Sequence, residues 1–166
     1  MTQASPAGPH LALEYKIGEK EFLVAGEAAS KTKRALQQLG LAQDVVKNVA
    51  IIVYEAGMNI VIHAQHGHIK VVIAPEQVVV YTEDVGVGIP DIELAMQEGY
   101  STAPPEVREM GFGAGMGLSN IKRCSDEFTI ESQPGVGTVL KARIYLDRGK
   151  GVAEGRGAHD SLLPFG

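Results

Sequence analysis

Three polar residues interrupt an apolar segment at a spacing that aligns them along one side of a helix. Glu55, Asn59 and His63 stand at i, i+4 and i+8 within Val53-Tyr54-Glu55-Ala56-Gly57-Met58-Asn59-Ile60-Val61-Ile62-His63. A carboxylate in such a place can orient and deprotonate a hydroxyl or a water. An amide oxygen suits Mg²⁺, an ion that keeps several waters and binds phosphate oxygens rather than a full protein cage. His63 reads equally well as a phosphate contact and as a helix-end histidine in an ordinary hydrogen bond.

Around the stripe, at about 100° per residue, Val46, Val49, Val53, Ala56, Gly57 and Ile60 form an apolar face on roughly the opposite side. A solvated helix face is the ordinary explanation of such polar residues. Its borders argue otherwise. Ile51, Ile52, Met58 and Ile62 crowd the stripe where an exposed face would carry Lys, Glu or Gln. Glu is seldom buried without a partner or a task, so the stripe is expected to line a pocket.

Two glycine clusters follow. In Glu83-Asp84-Val85-Gly86-Val87-Gly88-Ile89-Pro90, Asp84 can accept a hydrogen bond from an exocyclic amine such as adenine N6. Gly86 and Gly88 would let the backbone approach a flat base. Taken alone, the segment is a glycine turn between strand and helix. The second cluster has glycines at 111, 113, 115 and 117 and then enters a helix at Leu118. Backbone N–H groups at a helix N-terminus bind phosphate directly. A flexible linker is the plain alternative, which the helix-forming Ser119-Asn120-Ile121-Lys122-Arg123 argues against. A dinucleotide motif is rejected, because no strand precedes the cluster at the right distance and no βαβ unit is evident. Thr138, after Gly137, carries a hydroxyl that can reach a base pocket. Arg108 is either a phosphate contact or a solvated arginine.

The elements that must position these groups read as follows. Strands are expected at 11–17 and 21–24, with a turn at 18–20 between them. A helix over 27–39 ends at Gly40, a C′ glycine. A long helix spans 45–63. Strands at 69–73 and 77–82 flank a turn at 74–76. Pro90 starts a helix that ends near Gly99, with Asp91 and Glu93 favourable to its dipole. Residues 100–114 read as a long mobile loop, 115–124 as a helix, and 128–132 and 138–146 as strands around Pro134-Gly135. The fold class is α+β: a two-layer sandwich, its sheet mixed and mainly antiparallel, with helices on one face. One domain covers 11–146, between a disordered 1–10 and a flexible tail at 147–166.

Composition narrows the function. The chain has 166 residues, a net charge of −5 and no basic block, which argues against nucleic acid. Its size suits one domain that buries about 68–70 % of its unfolded-chain surface. The lone Cys124 supports neither an internal disulfide nor a metal framework, and reads as a half-buried apolar residue. No cationic region followed by an apolar run opens the chain, and the apolar stretches read as too short and interrupted to span a bilayer. A cytoplasmic protein without nucleic-acid or membrane partners is expected.

In this order the motifs resemble the nucleotide-binding fold of the gyrase, Hsp90, histidine-kinase and MutL superfamily, a Bergerat-type ATP site. Glu55 and Asn59 match its N box, Asp84-x-Gly86-x-Gly88 its first glycine box, 111–118 its second and Gly137-Thr138 its last. Residues 83–92, Gly99-Tyr100-Ser101-Thr102 and Asp126-Glu127-Phe128 are similar to bacterial anti-sigma-factor serine/threonine kinases, the stressosome switch kinase above all. The lid at 103–114 is longer than in those kinases, and the tail after Leu146 has no counterpart in them. The resemblance implies ATP and Mg²⁺ as cofactors. Glu55 would be the catalytic base and Asn59 the metal ligand. Asn59, His63, Asp84, Gly86, Gly88, Gly111, Gly113, Gly115, Met116, Gly117, Leu118 and Thr138 would contact the nucleotide. The implied substrate is a Ser or Thr of a STAS-domain protein, of anti-anti-sigma or stressosome-scaffold type. A sigma factor, a phosphatase and a second copy of the chain are further implied partners. The competing expectation is an anti-sigma factor acting by nucleotide-dependent sequestration. The catalytic half of a histidine kinase would need a dimerisation helix pair with an acceptor histidine, and a gyrase-like gate a transducer domain. Neither is evident in the sequence.

Overall fold

The computed structural model describes residues 10–100, 103, 105 and 116–146. The loop expected over 100–114 and the two terminal segments fall almost wholly outside the described residues.

Strand β1 (Leu11–Gly18) turns at residues 19–20, where Lys20 takes a left-handed φ of 65°, and enters α1 (Phe22–Gln38). The short strand expected at 21–24 is therefore the first turn of α1. Its residues belong to a helical repeat: Ala25, Ala28, Thr32 and Leu36 are all buried. Glu21 ends the turn before it, its carboxylate accepting the Gly18 N–H at 2.8 Å. Gly40, with φ 80°, closes the far end as a left-handed cap.

Helix α2 (Gln43–His63) is the spine of the molecule. It packs on α1 and across β1, β2, β3 and β5. By length and composition it is apolar enough to cross a membrane, with a mean hydropathy of 1.6 over 18 residues. This corrects the expectation that every apolar stretch is too short. The hydropathy has another cause here: Val49, Ile52, Val53, Ile60 and Val61 are each 0–1 % exposed inside the protein core. Each such side chain stabilises the fold by about 1.5–3 kcal/mol. At Gly57 the two helices come so close that a Cβ would lie 3.0 Å from the Cβ of Ala25.

Strands β2 (Ala64–Ala74) and β3 (Gln77–Gly86) form a hairpin longer at both ends than the sequence pattern predicts. Helix α3 (Ile92–Ala95) is short. Pro90 precedes it, and Asp91 caps it by accepting the Leu94 N–H at 3.0 Å. No residue of α3 is fully buried; Ala95 and the adjoining Met96 are only partly buried against the core, and residues 97–100 are exposed, which leaves little packing to carry the helix on toward Gly99. Helix α4 (Gly117–Cys124), β4 (Glu127–Gln133) and β5 (Gly137–Tyr145) complete the described chain.

The sheet order is β1-β2-β3-β5-β4, and all four pairings are antiparallel. Its inner face presents Ile17, Ile69, Val71, Val78, Val80, Leu140, Ala142 and Ile144 to the helices, in one continuous core. This is the expected α+β two-layer sandwich.

Candidate functional site

The helix side of the site comes from α2. Its buried face is the predicted one, with Val46, Val49, Val53, Ala56, Gly57 and Ile60 all inside. Glu55, Asn59 and His63 are half-buried and line one cavity of about 420 Å³. Ile52 and Met58 beside them are buried, so the polar stripe is a pocket wall and not a solvated face. Burial holds the His63 imidazole below its ordinary pKa, which favours the neutral ring.

The sheet side comes from β3, whose alternation sends Val78, Val80, Thr82 and Asp84 toward the helices. Core valines give way to Thr82 and Asp84 where the cavity opens. Asp84 sits among close backbones. A Cβ at Gly67, its cross-strand neighbour on β2, would lie 2.8 Å from the Asp84 Cβ. A Cβ at Gly137 on β5 would lie 2.0 Å from the Asp84 carbonyl oxygen. The Thr138 N–H donates to Asp84 Oδ1 at 3.2 Å. Burial raises the Asp84 carboxyl to about 6, with Glu83 adding to the rise, while the Thr138 N–H and His66 oppose it.

The loop after β3 is stapled to the β4–β5 hairpin. Gly86 N–H donates to the Val136 carbonyl at 3.0 Å, and Gly135 N–H to that of Val87 at 2.8 Å. Ser132 is the side-chain link: its Oγ accepts the Ile89 N–H at 2.7 Å and lies 2.8 Å from Thr138 Oγ1. At Gly88, φ is 73°, and a Cβ would meet the Gln133 carbonyl oxygen at 2.4 Å, so no other residue fits there without moving the hairpin.

The third wall is the start of α4. Met116, Gly117 and Leu118 line the cavity, and no side chain caps the helix. Its first N–H groups are left for a ligand or for water. A Cβ at Gly117 would lie 3.3 Å from Glu55 Oε1 and 3.4 Å from Asn59 Oδ1. The carboxylate, the amide and the helix N-terminus thus converge on one point. Asp84 and Thr138 belong to the sheet wall of the same cavity.

Of the expected site residues, Glu55, Asn59, His63, Asp84, Gly88, Met116, Gly117, Leu118 and Thr138 all line this cavity. Gly86 does not. It lies at the end of β3, where a Cβ would come within 2.7 Å of the Ala64 Cα, so its place in the fold is a close passage of β3 beside the end of α2. Gly111, Gly113, Gly115 and Arg108 lie outside the described residues. The sequence reading did not include Gly67, Asn120 or Ser132. A glycine within a strand pattern is a signal of close backbone approach, and Gly67 carried it. Ser132 and Asn120 make their contacts across long sequence separations that no local pattern reveals.

Residues 44–149 match the family of histidine kinase-, DNA gyrase B- and HSP90-like ATPases. The chain belongs to that family. Membership implies that the domain binds ATP. The chain is 31 % identical over 122 residues to the serine/threonine-protein kinase RsbT of Bacillus subtilis, covering 69 % of this chain and 83 % of that one. It is 34 % identical over 147 residues to the anti-sigma F factor of Pasteuria penetrans, covering 81 % and 94 %. The anti-sigma F factor of Caldanaerobacter subterraneus subsp. tengcongensis matches at 31 % over 118 residues, covering 68 % and 79 %. Among solved structures, the SiaB–SiaC complex from Pseudomonas aeruginosa shares the fold, with a TM-score of 0.53 at 16 % identity, over 81 % of this chain and 88 % of that one.

Proposed function

We propose that this ATPase-family chain is a serine/threonine protein kinase that phosphorylates a STAS-domain regulator in a partner-switching pathway controlling a sigma factor. The observation that carries the reading is the convergence of Glu55 Oε1 and Asn59 Oδ1 on Gly117, at the uncapped start of α4. Likeness to a serine/threonine kinase and to anti-sigma factors supports the same reading.

In this mechanism Asp84 accepts the adenine N6 amine on Oδ2, since Oδ1 is engaged by Thr138. The first N–H groups of α4 receive phosphate oxygens. Asn59 fits Mg²⁺ as one amide oxygen beside phosphate and water. No group of three His, Cys, Asp or Glu that would build a protein cage occurs among the described residues. A metal held there would supply charge neutralisation for the phosphate oxygens. Glu55 takes the proton of the acceptor hydroxyl as its oxygen bonds to the γ-phosphorus and ADP leaves.

Purified protein with labelled MgATP and candidate STAS-domain proteins is expected to yield one labelled Ser or Thr, located by mass spectrometry. Glu55→Gln should bind ATP nearly as well and slow transfer by about 10²–10⁴-fold. No heat from ATP or ADP in calorimetry, or no labelled acceptor, would defeat the proposal. The relatives named anti-sigma F factor favour a second reading, nucleotide-dependent sequestration of a sigma factor, for which stable co-purification with that factor is the sign. Both readings belong in the cytoplasm.

A further inference from the structure

Glu55 is held by a second side chain that no motif contains. Asn120 on α4 donates from Nδ2 to Glu55 Oε2 at 3.0 Å. One turn on, Arg123 Nη1 donates to Asn120 Oδ1 at 2.8 Å, while its Nη2 pairs with Glu98 at 3.3 Å. The orientation of the amide follows from chemistry. A guanidinium has donors alone and an ionised carboxylate acceptors alone, so one orientation of Asn120 serves both neighbours and a flip would break both contacts. With Oε2 engaged, the remaining oxygen, Oε1, faces Gly117 and has no hydrogen bond among the described residues. The packing of α4 on the core rests on Leu118 and the fully buried Ile121, so the helix is anchored without Asn120.

We propose that Asn120 is a positioning residue for phosphotransfer. Its amide fixes the plane of the Glu55 carboxylate so that Oε1 points at the acceptor hydroxyl, and Arg123 keeps the amide from turning over. The inference rests on Glu55 as the base of the proposed kinase. In the step itself, the hydroxyl proton passes to Oε1, the hydroxyl oxygen bonds to the γ-phosphorus, and the bond to the β–γ bridging oxygen breaks to release ADP. Asn120 gains and loses nothing in that exchange. It sets the angle of the acceptor oxygen, and misplacement of a reacting group by about 1 Å can cost on the order of 10²-fold in rate.

The test uses the full chain, with MgATP and water as the acceptor. Asn120→Asp keeps the acceptor for Arg123 and removes the donor to Glu55, and Asn120→Ala removes both without adding charge. Both variants are expected to bind ATP within about threefold of the parent by calorimetry and to form ADP at least about tenfold more slowly in single turnovers. Paired with Glu55→Gln, neither should slow the reaction beyond Glu55→Gln alone, because two residues acting as one unit are not additive. The side-chain amide signal of Asn120 in a ¹⁵N spectrum should also move when Glu55→Gln is made. If Glu55→Gln is slow while both Asn120 variants run at the parental rate, or if the losses multiply, the positioning role is wrong and the base assignment survives. If both Asn120 variants lose ATP affinity along with rate, the residue is structural and the proposal fails. If Glu55→Gln turns over like the parent, the base assignment falls and this role with it.

Discussion

Asp84→Asn tests the proposed recognition of the adenine base most directly. Thr138 N–H donates to Asp84 Oδ1, so an amide at this position must keep its oxygen on that donor. Its NH₂ group then points where the adenine amine also brings a donor. Loss of a hydrogen bond to a charged acceptor costs about 1.5–3 kcal/mol, or roughly 10–150-fold in affinity. The pH dependence adds a second magnitude. Burial raises the Asp84 carboxyl from 3.8 to about 6. At pH 7 about nine tenths of the protein then carries the ionised form, and at pH 5 about one tenth. If the ionised form is the binding-competent one, the apparent affinity of the parent for ADP falls roughly tenfold between those values. Asp84→Asn has no such step, so its own profile subtracts the titration of the ADP phosphates. The sign for stability without nucleotide is opposite. A carboxyl whose pKa is raised by folding favours the folded state below its ordinary 3.8, and that contribution is lost as pH rises through about 6. At pH 7–8 the empty variant is therefore expected to be no less stable than the parent. The assay is calorimetry with ADP from pH 5 to 8 on both proteins, with denaturation of each without ligand. Parallel pH profiles, or parental affinity in Asp84→Asn at pH 7.5, would refute the argument.

Three further outcomes are expected. Asn59→Ala should weaken Mg²⁺-dependent ATP binding and slow turnover, while ADP binding without metal stays within a few fold, as titrations with and without EDTA will show. Gly137→Ala puts a Cβ 2.0 Å from the Asp84 carbonyl oxygen. It forces β5 away from β3 and should cost about 1–3 kcal/mol or more in urea denaturation, with nucleotide affinity lowered too. Ile52→Ala, at a fully buried position of α2, should cost about 2–5 kcal/mol by the same measurement, with the parental ADP affinity kept at temperatures where the variant is folded.

The helices and strands were legible wherever one face is buried. The periodicity of α2 identified its core face correctly, because a helix that packs on a sheet must repeat near 3.6 residues. The strand pairs around Ala74-Pro75-Glu76 and Pro134-Gly135 were marked by their turn residues. Errors fell where the local pattern was short. Residues 21–24 allow either strand or helix until α1 is continued through Leu36 and docked on α2. Pro90 and two acidic residues advertise a helix start, yet α3 stops after four residues, none of them fully buried, with Ala95 only partly buried against the core.

Residue types and their order were enough to mark out a carboxylate, an amide, an aspartate and a glycine-led helix start that line one cavity, since each motif is contiguous and its chemistry belongs to its own residues. Sequence could not show which groups meet. Asn120 reaches Glu55 across 65 residues, and Ser132 ties Ile89 to the last hairpin across 43. Gly86 was expected against the base and instead lies against the chain at Ala64. Such contacts depend on how α4 and the β4–β5 hairpin close around α2 and β3. That closure is set by core packing between distant segments, which leaves no trace in the spacing of neighbouring residues.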